Sequence, residues 1–182
     1  MRRFEEIVRS LLLMCAVLWC ALALAAEPPS LDPHLEPLRP LLEKTWRGVF
    51  TGGDPAKPVV DVMRWERAMN GQVVRVLHSI NDGAYGGETL YRWDEAKKAV
   101  TFHYFTTAGF MTVGTVSFES GKFTTLEKVE GNAGGITEVR GTLEILPDGT
   151  VCVKAEHKRG ETWDLGRETI YREDSAAKVV FR

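Results

Sequence analysis

Beyond Thr45 this chain is cut by five short turn motifs, and they leave few folds open to it. Asn70-Gly71, Asp82-Gly83, Ser120-Gly121, Pro147-Asp148-Gly149 and Arg159-Gly160 each separate two runs rich in β-branched and aromatic residues. Asn-Gly and Asp-Gly supply the positive φ angles that a two-residue hairpin needs, so the runs on either side become antiparallel neighbours. The runs are Thr45–Gly52, Val59–Met69, Gln72–Ile80, Glu88–Trp93, Ala99–Thr106, Phe110–Phe118, Lys122–Val129, Gly135–Leu146, Thr150–Lys158 and Glu161–Arg172, with Asp94–Lys98 as a longer polar loop. With no crossover helix between them, about eight to ten short strands predict an all-β sandwich or barrel.

Alternation within the strands favours the barrel. Val100, Phe102 and Tyr104 share one face of their strand, while His103 and Phe105 share the other. Large apolar groups on both faces predict a barrel with a furnished interior, a single antiparallel up-and-down closure over 45–182. Ahead of it, 26–44 is a Pro-rich lead-in and a short helix over Pro33–Lys44. Asp32 is the N-cap, Pro33 the first helical residue and Glu36 a first-turn acid. Leu35, Leu38, Leu41 and Leu42 give that helix one apolar face, and its natural target is an open end of the barrel.

Residues 1–25 read as a signal peptide. Arg2, Arg3 and Arg9 precede the apolar run Leu11–Leu24, and Ala23-Leu24-Ala25 is an A-x-A cleavage site. The expectation is an exported, periplasmic or secreted protein with no stable membrane span after cleavage. Cleavage removes Cys15 and Cys20, so Cys152 is left without a disulfide partner and the core has to hold the fold unaided. The formal charge of −2, with both signs interspersed and no basic patch, speaks against nucleic acid as a partner.

The segment Pro40-Leu41-Leu42-Glu43-Lys44-Thr45-Trp46-Arg47-Gly48 resembles the opening of lipocalin-like (calycin) proteins, where a short helix precedes a first strand bearing a Trp. Met63-Arg64-Trp65, Tyr91-Arg92-Trp93-Asp94 and Glu168-Thr169-Ile170-Tyr171-Arg172 resemble an uncharacterised family of exported bacterial proteins with that fold. The resemblance implies a closed barrel in which a late Arg, Arg172 or Arg167, lies over Trp46 and pins the two ends together by a cation–π contact.

Candidate chemistry is sparse. None of His34, His78, His103 and His157 is close in sequence to another, so no metal-ligand spacing exists and neither a metal nor another cofactor is expected. The glycine clusters Gly83–Gly87 and Gly131–Gly135 are followed by no helix and read as loops at a barrel mouth. Candidates for lining an interior are Tyr91, Trp93, His103, Tyr104, His78, His157 and Arg140. The leading expectation is a non-catalytic barrel holding one small apolar or amphipathic molecule. The alternatives are a barrel enzyme using a cavity His and acid, with His103 or His157 as the base, and a solid barrel acting through its surface.

Overall fold

The computed structural model describes residues 30–182, so the expected signal peptide lies outside the described residues. Ten strands follow one another: β1 (Lys44–Phe50), β2 (Val60–Ala68), β3 (Val73–Ile80), β4 (Tyr85–Asp94), β5 (Ala99–Thr106), β6 (Met111–Glu119), β7 (Lys122–Glu130), β8 (Ile136–Ile145), β9 (Val151–Arg159) and β10 (Thr162–Glu173). Each is antiparallel to the next, and β10 returns to β1 to close the barrel. Closure runs from Trp46 opposite Glu173 to Phe50 opposite Thr169.

The turns follow their local chemistry. Ser120 and Gly121 both have positive φ (48° and 79°), the geometry that matches hairpin twist. Gly71 is required by packing as well: a Cβ there would stand 2.1 Å from the Ser30 carbonyl oxygen, because the lead-in segment presses against this turn and Asp32 N donates to Gly71 O. The second glycine cluster lies in the β7–β8 turn as expected. Gly86 and Gly87 of the first belong instead to β4, which starts three residues before the predicted run.

The expected helix is a 3₁₀ helix, Pro33–Leu41, rather than a segment reaching Lys44. Pro37 and Pro40 lack the N–H that an α-helical ladder needs, and their rings clash with the preceding turn. Asp32 caps it by accepting from His34 N at 2.9 Å. Three residues per turn stack Leu35, Leu38 and Leu41 on one line, and all three are buried. They plug the barrel end bounded by the β2–β3, β4–β5, β6–β7 and β8–β9 turns, packing in one core with Trp46, Trp65, Val74, Val100, Val116, Phe123 and Val151. Residues 174–182 return along the outside, with Val180 N donating to Ser79 Oγ at 3.0 Å.

The predicted closure contact is corrected by the register. Arg172 lies opposite Arg47, Trp46 lies opposite Glu173, and the Arg172 side chain is 72% exposed, 4.0 Å from Asp148. Trp46 points inward and donates its indole N–H to Leu41 O at 3.3 Å, while the cation nearest its ring is Lys44 at 5.5 Å. The Arg167 guanidinium lies over Phe50, at 4.7 Å from the ring centroid, and not over Trp46. The barrel ends are joined by backbone pairing and the leucine plug.

A candidate ligand cavity

Glycines inside strands are costly unless something needs the space of the missing side chain. Three inward-facing glycines here carry an aromatic ring from a neighbouring strand. A Cβ on Gly48 would stand 2.8 Å from the Tyr171 ring, one on Gly87 2.4 Å from the Tyr104 ring, and one on Gly114 2.6 Å from the Phe102 ring. Two of these rings use the gap to reach across a whole strand. Tyr171 on β10 passes over Gly48 on β1 and donates to Asp61 Oδ2 on β2 at 2.8 Å. Tyr104 on β5 passes over Gly87 on β4 and meets His78 Nε2 on β3 at 2.7 Å.

Asp61 and His78 then join the two halves through Oδ1 and Nδ1 at 3.1 Å, and Tyr85 Oη extends the chain to Tyr104 Oη at 2.9 Å. A carboxylate only accepts, so His78 donates through Nδ1 to Asp61, and in the neutral imidazole Nε2 accepts from Tyr104. Burial raises the Tyr85, Tyr104 and Tyr171 phenols above their ordinary range, and for Tyr171 the Asp61 charge raises it further. All three stay protonated as donors, so every polar atom of the relay is spent on another member.

This relay forms one side of an interior cavity of about 270 Å³ between the plug and the opposite barrel end. Its deeper wall is apolar, with Met63, Trp65, Val76, Phe102, Leu143 and Val153. Tyr91 belongs to this wall, between the Trp65 and Phe102 rings at 5.8 and 5.1 Å, and burial raises its phenol as well. On the side facing the relay, Glu127 accepts from Thr112 Oγ1 at 2.6 Å and Thr125 Oγ1 at 3.3 Å. Burial nevertheless pushes its carboxyl up, outweighing those hydroxyls and the nearby Arg167.

His157 and Arg167 complete the lining toward the mouth. Arg167 shares the inward face of β10 with Thr169 and Tyr171, at the point where the register of β9 and β10 shifts between Leu165 and Glu168 in a β-bulge. The His157 ring lies against Gly166 of the same bulge, where an added Cβ would be 2.8 Å away. Burial first, then Arg167 and Arg159, hold the His157 imidazole below its ordinary value against the opposing pull of Asp164.

Of the residues singled out from the sequence, His78, Tyr91, Tyr104 and His157 come together at the cavity. The others do not. Trp93 sits at the plugged end, stacked on His34 at 3.6 Å and donating to Glu95. His103 is exposed on the outer face beside Phe105. Arg140 is also outside, in a two-pronged pair with Glu156 (2.6 and 2.9 Å) under the Trp163 ring. Sequence reasoning did not place Asp61, Tyr85, Glu127 or Tyr171 in the interior, and it named Arg167 only for the closure contact. The signal that pointed to one of them, Tyr171, was glycine within a strand, at Gly48, paired with a strand that carries the tyrosine.

No family model matches the chain, and no curated protein is similar to it in sequence. Among solved structures, the chain is similar to the crystal structure of Rv2717c from M. tuberculosis, with a TM-score of 0.59 at 16% identity, covering 80% of this chain and 99% of that one. At that identity the likeness is one of fold.

Proposed function

We propose that this closed ten-stranded barrel is an exported, lipocalin-like protein that holds one small amphipathic molecule in its interior and does not transform it. The observation that carries the reading is the cavity itself, apolar in depth and bordered by fixed polar groups. Its volume falls just under the range of about 300–1,000 Å³ typical of drug-sized ligands, which favours a compact guest over a long chain. An unfilled interior gives no support to the solid-barrel alternative. The lipocalin-like character rests on the helix-then-Trp46 opening, and export rests on the charged start, the apolar run and Ala23-Leu24-Ala25.

The non-catalytic part rests on the relay. Both nitrogens of His78 are engaged and the Tyr104 proton is committed to it, so neither offers a free base to a bound molecule. His157 is the one observation in favour of an enzyme, as a neutral imidazole facing the cavity.

Native mass spectrometry of exported protein, with titration of small amphiphiles followed by Trp emission, tests the reading. One guest per chain and saturable binding are expected, abolished by Ala155→Phe, which fills the cavity. Saturable binding that survives this change would place the ligand elsewhere.

A further inference from the structure

Resting on the interior-binding reading, the geometry points to a compact carboxylate as the guest, with its charged head on Arg167 and its apolar body toward Met63, Phe102 and Val153. The argument is a charge balance of the cavity wall. Asp61 is engaged by His78 and Tyr171, and the Lys154 ammonium is paired with Glu168 at 3.2 Å. Glu127, the other acid facing the space, is held by Thr112 and Thr125 in surroundings that favour its neutral form. Among the described residues, Arg167 has no Asp or Glu oxygen within ion-pair distance. It is the cavity's unmatched charge.

Its presentation has the features of a receptor for a planar anion. Arg167 alternates with Thr169 and Tyr171 on the inward face of β10, beside the register shift between Leu165 and Glu168. Phe50 lies against the guanidinium at 4.7 Å. Among the described residues the guanidinium makes no hydrogen bond or ion pair, so its N–H donors are open, and their planar fork matches a carboxylate in two parallel hydrogen bonds. A single cation also matches one negative charge. A phosphate dianion would leave a second charge without a matching cation.

The test uses the purified full chain with trans-cinnamate and its neutral isostere cinnamamide, by calorimetry. Cinnamate should bind once per chain and about tenfold or more tighter than the amide, the usual worth of one charge-assisted contact. Arg167→Gln should remove that preference and Arg167→Lys should keep part of it, since Lys retains the charge without the fork. Circular dichroism checks that each variant folds. If Arg167→Gln does not fold, Arg167→Lys decides, and an undiminished preference in it overturns the inference. Equal or tighter binding of the amide to the native protein overturns the carboxylate and leaves interior binding standing. Absence of saturable binding by either probe overturns both.

Discussion

At the scale of single residues, the barrel interior is organised by what glycine leaves out. Gly48 stands opposite both Tyr171 and Asp61, so the Tyr171 ring can lie flat across it and reach the carboxylate. Gly48→Val would drive a branched side chain into Tyr171 and Thr169. The expected loss is about 1–3 kcal/mol from overpacking, read as a lower urea midpoint. A midpoint equal to that of the native protein would show that the ring does not need this gap. Glu127 gives a prediction with a definite pH sign. Its folded value is raised above the unfolded one, so its favourable contribution is complete below the ordinary glutamate range and is lost as pH rises through the folded value. Glu127→Gln, which stays neutral, should therefore gain stability relative to the native protein as pH rises from the ordinary glutamate range toward neutrality and beyond. Urea melts across that range check it, and a relative loss with rising pH would show the carboxylate to be the favoured form.

At the scale of elements, the 3₁₀ helix Pro33–Leu41 acts as a stopper that the strands cannot supply. Its three leucines are 0%, 1% and 0% exposed, in contact with the inward residues of strands far apart in sequence. Leu38→Ala should cost about 2–5 kcal/mol, as for other fully buried leucines. The loss should be accompanied by a red shift of Trp emission as water reaches Trp46 and Trp65. A cost below about 1 kcal/mol would mean that the segment lies on the surface instead of plugging the core.

At the scale of the whole molecule, closure depends on the pairing of the first and last strands, the most distant contact in the chain. The Trp46 side chain is 3% exposed inside that seam, while Arg172 points away from it into solvent. Trp46→Ala should cost about 3–5 kcal/mol, and Arg172→Ala should change stability by less than about 0.5 kcal/mol. In a double-mutant cycle the two effects should add within about 0.5 kcal/mol, because the side chains share no contact. A coupling well above that would restore the predicted cation–π lock. Ten strands joined in this way also make a fold of high contact order, for which folding in milliseconds to seconds is the physical expectation.

Much of this architecture was legible because its causes are local. Asn-Gly, Asp-Gly and Ser-Gly turns need positive φ wherever they occur, so they mark antiparallel neighbours without reference to the rest of the chain. Asp32 followed by Pro33 marks a helix start for the same reason. The sites were less legible because alternation shows only that neighbouring residues point opposite ways. It shows that His103 and Tyr104 oppose each other, and closure of the barrel put Tyr104 inside and His103 in solvent. The same parity sent Arg140 and Arg172 outward, while Trp93, at the end of β4, went to the plug instead of the cavity. Arg167 shares a face of β10 with Tyr171 by alternation, but only closure makes that face the inner one, and Asp61 meets His78 and Tyr171 only once strands far apart in sequence become neighbours. Local backbone chemistry thus determined the strands, their order and the cap. Which side chains share the interior was decided by register and closure, which are properties of the assembled barrel alone.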